Sequence, residues 1–453
     1  MVHRRGRWID GWDPENEQQW QAGGRRIAIR NLVLSVFAEN LGFSVWLIWS
    51  AVVVSLPAAG FAFSVDQLFW LVSVPALVGA FARLPYTFAV TRFGGRNWTV
   101  VSALALLLPT IGLVACVLNP ATPYLVFVLV AATAGLGGGN FASSMANINF
   151  FFPQRSKGFA LGINAAGGNL GASTVQLLVP VVVGVGAFAV IGGAQAPGLY
   201  LQNAGLMWIP LIVLAAILAW RWMDNLSNAR ASVREQLSVT SDRHTWIMSF
   251  LYVGTFGSFM GFAGAFPLLI KTQFPAQASL NLAFLGALVG SLSRPVGGLM
   301  ADRLGGARVT AVNFVVMGIA GVAAVVFVGR QSFAGFLASF LVLFASAGIG
   351  NGSTYRMIPS IFRFRALATA GDGAQRSAAL AAATRSASAV VGFASAVGAL
   401  GGFLIPQALR SSISATGGIA VAMVVFIGFY AVCVAVTWLC YLRRSATVGG
   451  GVV

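Results

Sequence analysis

The chain has 453 residues, 58% of them hydrophobic and only 9% charged, with a mean hydropathy of +0.83. Soluble domains carry about 45–50% apolar and about 25% charged residues, so a water-soluble domain is excluded. The net charge of +17 would suggest nucleic acid in a soluble protein, but in so apolar a chain the basic residues are set against the lipid bilayer, and no nucleic-acid partner is expected.

In chain order, residues 1–28 form a polar segment, polar for too long to be a cleavable signal peptide. Twelve apolar stretches follow, each long enough to cross a hydrocarbon core of about 30 Å with roughly 20 residues. They centre near Leu41, Leu77, Leu107, Ala134, Ala172, Leu214, Gly257, Gly290, Gly318, Phe344, Gly392 and Gly428. Continuous apolar windows rather than short alternating runs exclude a β-barrel. The expected domains are a cytoplasmic segment over 1–28, a six-helix bundle over 29–222, a charged linker over 223–244, a second six-helix bundle over 245–442 and a tail over 443–453.

Of the 28 Lys and Arg, Arg83 and Arg294 fall inside spans, and Lys271, Arg330 and Arg410 fall in loops on one side. All others lie in the termini or in the loops after the even-numbered helices, which puts both termini in the cytoplasm by the positive-inside rule. The three cysteines, Cys116, Cys433 and Cys440, all lie in spans, so they read as core residues and imply no disulfide framework.

The chain repeats itself. Arg83, Arg92, Gly94, Gly95 and Thr99 recur 211 residues later as Arg294, Arg303, Gly305, Gly306 and Thr310. At an offset of 213, "AGLGGG" (Ala134 to Gly139) meets "AGIGNG" (Ala347 to Gly352). A period near half the chain, with six helices per unit, describes two parallel repeats related by an axis along the membrane normal. The expected fold is therefore all-α: 12 transmembrane helices in two six-helix pseudo-symmetric halves, the major facilitator fold. The run "GLGGGNFASSMANINFFFP" reads first as a close-packed helix interface, but Asn140, Ser143, Ser144, Asn147 and Asn149 are costly in hydrocarbon unless partnered.

The two intramembrane arginines carry the functional argument. Each lies nine residues before a basic loop residue, Arg92 or Arg303. At about 1.5 Å per residue this puts both roughly 13 Å into the bilayer, near its middle. Neither has an acidic residue within two turns on its own helix. Glu39 is the one acid far enough from a helix end to pair with them, and it can neutralise one at most. The other guanidinium calls for an anion, and its planar fork of donors matches a small planar oxyanion such as nitrate, nitrite, formate or a short carboxylate.

Several stretches resemble the nitrate/nitrite porters of the major facilitator superfamily: "ARLPYTFAVTRFGGRNWT" (Ala82 to Thr99), "GGGNFASSMANINFFFP" (Gly137 to Pro153), "YVGTFGSFMGFAGAF" (Tyr252 to Phe266), "KTQFP" (Lys271 to Pro275), "SRPVGGLMADRLGGARVT" (Ser293 to Thr310), "AGIGNGSTYRMIPSIF" (Ala347 to Phe362) and "GALGGFLIP" (Gly398 to Pro406). The resemblance covers nearly the whole chain. It implies a substrate site of Arg83 and Arg294 walled by Phe141 and Phe256, with Phe43 also lining it and Tyr252, Asn164, Asn169 and Ser395 nearby. Asn169 has an independent case, because an amide donor facing an oxyanion is a sensible use of a costly polar group. The expected gating elements are Gly137, Gly138, Gly139, Gly350 and Gly352, where helices slide, with Arg92, Asp302 and Arg303 in the loops.

The sequence holds no P-loop and no metal-ligand cluster, so no cofactor is expected and transport is driven by gradients. The two histidines, His3 and His244, lie in cytoplasmic segments, and no nucleophile and base come together, so enzyme activity is not expected. A membrane anion sensor would need an added signalling domain. The coupling rests on Glu39: as a fixed ion-pair partner it leaves nitrate/nitrite exchange, which is the expected mode, and as a proton carrier it makes the alternative, a symporter. The expected setting is the inner (cytoplasmic) membrane, as a multi-pass monomer.

Overall fold

In a computed structural model of the chain, residues 1–229, 238–276, 282–369 and 373–443 are described. The chain forms two compact units. One holds Met1–Ala231 with Gly264–Lys271 and Ala278–Phe284, and the other holds Ser232–Ala263, Thr272–Gln277 and Leu285–Val453. Residues 230–237 of the expected linker and 444–453 of the expected tail lie outside the described residues.

The first unit contains α1 (Arg25–Trp46), followed by α2 (Val65–Phe93), α3 (Gly95–Leu118), α4 (Tyr124–Phe151), α5 (Gln154–Val182) and α6 (Asn203–Trp222). Next come α7 (Arg243–Gln273), α8 (Phe284–Leu304), α9 (Gly306–Gly329), α10 (Phe333–Ala368), α11 (Ala378–Thr416) and α12 (Ala420–Leu442). Eleven of these are long and apolar enough to cross a membrane. The twelfth, α1, is long enough at 22 residues, but Arg25, Arg26, Arg30, Asn31, Glu39 and Asn40 dilute its hydropathy.

The first unit is built around α1, which packs against α4 and α5, while α2 packs against α4. Trp46, Trp49, Phe43, Phe69, Phe127 and Phe141 fill its core. In the second unit α9 packs on α10 and α12, and α11 packs on α7 and α10. Both units turn from their second to their third helix on a glycine in the left-handed region, Gly94 at φ +87° and Gly305 at φ +89°. A side chain at either position would be strained, so the repeat keeps glycine there.

Three features depart from the sequence expectations. The N-terminal segment is folded: β1 (Val2–Arg4) pairs antiparallel with β2 (Trp8–Asp10), and β2 pairs in parallel with β3 (Asn225–Leu226). Ile9, Trp12 and Trp20 pack with Leu32, Ile148, Phe151, Phe152 and Leu226 in one apolar cluster. Lys271 and Arg410 are helical rather than in loops, because α7 and α11 run further than their apolar windows. The thiol expectation stands for Cys116 and Cys433, which are buried, but Cys440 is only partly so; all three are free.

Candidate functional site

Arg83 lies on α2 between Pro75 and Pro85 and is 1% exposed. Its guanidinium carbon stands 4.6 Å from the ring centroid of Phe141 on α4 and 5.4 Å from that of Trp46 on α1. Such contacts stabilise a desolvated cation by up to about 2 kcal/mol. Phe43 meets both rings edge-on, at 5.9 Å from Phe141 and 5.4 Å from Trp46. Trp46 is itself held by a hydrogen bond from Nε1 to the Pro75 carbonyl at 2.8 Å. Three aromatic rings from α1 and α4 thus orient one cation.

Close approach of α2 to its neighbours depends on glycine. A methyl at Gly79 would meet the Trp46 ring at 2.6 Å, one at Gly138 would meet the same ring at 2.7 Å, and one at Gly139 would meet Tyr86 at 2.7 Å. A methyl at Gly137 would collide with the Gly42 carbonyl. The glycine run on α4 is therefore what lets α1 and α4 close on the arginine of α2.

A polar network lies along α1 in the same unit. Glu39, 1% exposed, accepts hydrogen bonds on Oε2 from Ser144 Oγ at 2.6 Å and from Asn164 Nδ2 at 2.7 Å. Asn164 Nδ2 also reaches Ser144 Oγ at 2.6 Å, and Ser144 meets Ser35 at 2.8 Å. Asn164 is therefore committed to Glu39 through its N–H donors. Asn169 lies five residues further along α5 and is also buried, with an Oδ1 that meets no donor among the described residues.

In the second unit Arg294 lies on α8, 5% exposed, one residue before Pro295. Its Nη2 donates to Tyr252 Oη at 3.4 Å, and its guanidinium carbon stands 5.5 Å from the ring of Tyr355. Tyr252 stacks on Phe256 at 5.3 Å, across a π-turn at Val253–Gly257. Such turns are frequent at functional positions. Ser395 on α11 is buried and donates to the Gly392 carbonyl at 2.8 Å. A methyl at Gly352 would collide with the carbonyl of Arg294 itself, and one at Gly350 would come within 2.7 Å of Thr255.

Each unit gathers part of its expected set, while Asn169 and Ser395 are buried on α5 and α11. The first brings Arg83, Phe141 and Phe43 together and sets Glu39 with Asn164. The second brings together Arg294, Tyr252 and Phe256. The repeat also holds at the aromatic level, since Phe43 and Phe256 are separated by the offset of 213 that relates Ala134 to Ala347, as are Glu39 and Tyr252. Arg92, Asp302 and Arg303, expected in loops, lie instead in the last turns of α2 and α8, which run on to Phe93 and Leu304; Asp302 accepts from Arg356 Nε at 2.5 Å, and Arg92 lies 5.9 Å from the Phe93 ring. Arg303 and Asp302 line a small polar cleft with Arg308 and Ser360.

Three residues escaped the sequence reading. Trp46 and Tyr355 face the two arginines, and Asn351 is 1% exposed with neither amide atom paired among the described residues. Trp46 was findable three residues after Phe43, on the same helical face. Asn351 was visible as a polar residue inside "AGIGNG".

Comparison with known proteins bears on the family. The sequence matches the Major Facilitator Superfamily over residues 40–406. It is 46% identical over 448 residues to the nitrate/nitrite transporter NarU of Escherichia coli (strain K12), with 96% of each chain covered. It is 38% identical over 458 residues to the "Probable nitrate/nitrite antiporter NarK2" of Thermus thermophilus, with 98% of each covered. Among solved structures, the xylose transporter XylE from E. coli, in a partially occluded inward open conformation, superposes with a TM-score of 0.66 at 12% identity, over 91% of this chain and 97% of that one. That likeness is one of fold alone. With the repeat, the buried arginine of each unit and relatives aligned nearly end to end, the chain belongs to the nitrate/nitrite porters of the Major Facilitator Superfamily.

Proposed function

We propose that this protein exchanges nitrate and nitrite across the inner membrane by alternating access, with both termini in the cytoplasm. The observation that carries the reading is the pair of repeat-related arginines, Arg83 and Arg294, each buried and each held against aromatic rings of its own unit. A guanidinium fixed in this way presents a planar fork of N–H donors at low dielectric, where charge-assisted hydrogen bonds are strongest. Nitrate and nitrite are planar and small, and offer two oxygens to such a fork. The names of the full-length relatives support the same substrates.

In this reading Arg83 and Arg294 bind the anion, Phe141, Phe256 and Phe43 wall it, and Tyr252, Asn169 and Ser395 add polar contacts. Asn164 acts through Glu39. The bundles 29–222 and 245–442 alternate access to the anion, with Gly137, Gly138, Gly139, Gly350 and Gly352 as sliding surfaces within their own bundles and Arg92, Asp302 and Arg303 at the helix ends that move with them. The carrier works as a monomer, without cofactor, and performs no covalent chemistry.

Exchange follows if the empty carrier changes sides poorly and the loaded carrier changes sides readily. A second reading is favoured by one feature: the buried Glu39 carboxylate, held by Ser144 and Asn164, could carry a proton with nitrate. Efflux of preloaded nitrite from proteoliposomes tests the substrate assignment. External nitrate should start it, and external chloride or acetate should not. Equal efflux with all three anions would sink the assignment.

A further inference from the structure

A second cluster of arginines lies where the N-terminal hairpin meets α1 and the end of α6. A cleft of about 610 Å³ there is lined by His3, Arg4, Gly6, Arg7, Ile27, Arg30 and Asp224. Asp224 is the one acid in this lining and is 1% exposed. It accepts from Arg7 Nη2 at 2.8 Å, Arg30 Nη2 at 2.6 Å and Asn31 Nδ2 at 2.9 Å. Behind them, Arg96 donates to the Gly6 carbonyl at 3.3 Å and to the Trp220 carbonyl at 2.8 Å. Arg4 pairs with Asp10 on the exposed side of the hairpin.

Positive charge therefore exceeds negative charge around the cleft, with Arg7, Arg30 and Arg96 gathered about one carboxylate. The donors of Arg7 are taken up by Asp224 and by the carbonyls of Arg221, Trp222 and Met223, which end α6. Arg30 is different. Its Nε is buried and meets no acceptor among the described residues, and the arginine lines the cleft.

Two further observations place the cleft at a bilayer surface. Trp220 and Trp222, 59% and 42% exposed, flank it at the end of α6, and exposed tryptophans at a helix end mark the membrane–water interface. On α1, Ile29 and Val33 are 43% and 59% exposed, so apolar helix surface begins within one turn of Arg30. We propose that this cleft binds a phosphate group at the membrane interface, that of an anionic phospholipid whose acyl chains follow the Ile29 and Val33 face of α1. Basic pockets beside membrane helices recognise headgroups through such charge-assisted contacts. Occupancy would tie the hairpin and α1 together through Arg4 and Arg30. The proposal does not depend on the substrate of the central arginines.

Thermal unfolding of the purified full chain in neutral detergent tests it at fixed ionic strength. The additives are phosphatidylglycerol, phosphatidylcholine or inorganic phosphate, applied to the parent, Arg30→Gln and Arg4→Gln. Phosphatidylglycerol should protect the parent at a concentration about tenfold below phosphatidylcholine, whose choline cation opposes the arginines. Loss of one charge-assisted contact should raise the half-saturating concentration about tenfold or more in each variant. Arg4 is exposed, so Arg4→Gln remains informative if Arg30→Gln fails to fold. Protection by inorganic phosphate with none from phosphatidylglycerol would overturn the lipid assignment in favour of a soluble phosphate. Equal protection by the two lipids, or by phosphatidylglycerol in the parent and Arg4→Gln alike, would overturn the site and leave the cluster as a structural hub around Asp224.

Discussion

Replacing Arg83 with lysine separates charge from geometry. The substitution keeps the positive charge near Phe141 and Trp46 but removes the planar fork and one of the two parallel N–H bonds it would offer an oxyanion. A charge-assisted hydrogen bond contributes about 1.5–3 kcal/mol net. The ammonium also loses the stacked contact with Phe141, 4.6 Å from the guanidinium carbon in the parent, and cation–π contacts contribute about 0.5–2 kcal/mol. Lysine retains part of the second term, so a loss of about 2–3 kcal/mol is expected, or roughly 30- to 150-fold in nitrate affinity. Isothermal titration of detergent-purified protein with nitrate measures this directly, and elution as a single symmetric peak shows that the variant is folded. An Arg83→Lys protein that binds nitrate within threefold of the parent would refute the argument from guanidinium geometry.

Other perturbations are equally specific. Gly352→Ala places a methyl against the carbonyl of Arg294, so both thermal stability and nitrate transport should fall, whereas Gly162→Ala on α5 meets nothing within 4 Å and should leave both unchanged. Asp302→Asn removes the partner of Arg356; both side chains are about half exposed, so stability should change by less than about 1 kcal/mol in a denaturant titration while the transport rate falls severalfold. Asp224→Asn leaves Arg7 and Arg30 opposed by no carboxylate at the end of α6, and should lower stability by about 3 kcal/mol, read as an earlier thermal transition.

Most of the fold could be read from the sequence because the signals were physical and repeated. A charge inside an apolar run is rare enough to stand out, and its recurrence at an offset of 211 set the period that pairs Arg83 with Arg294. The N-terminal hairpin was not legible. Its strands are three residues each, "VHR" and "WID", and the second is held by β3 more than two hundred residues away. The aromatic partners were half legible. With 34 phenylalanines and 12 tryptophans in the chain, composition cannot say which ring faces a cation, and Trp46 and Tyr355 emerged only when the helices were packed. The resemblance set Asn164 near the substrate site, yet its N–H groups belong to Glu39, a tertiary contact across 125 residues.

The direct test of exchange is nitrate uptake into proteoliposomes of the purified protein, with nitrite-loaded vesicles compared against empty vesicles given an inward proton gradient, and with Glu39→Gln alongside the parent. Exchange predicts strong acceleration by internal nitrite, no response to the gradient, and a Glu39→Gln rate within about threefold of the parent, since glutamine can still accept from Ser144 and Asn164. Uptake driven by the gradient in empty vesicles, and abolished by Glu39→Gln, would contradict exchange and make Glu39 the proton carrier of a nitrate symporter.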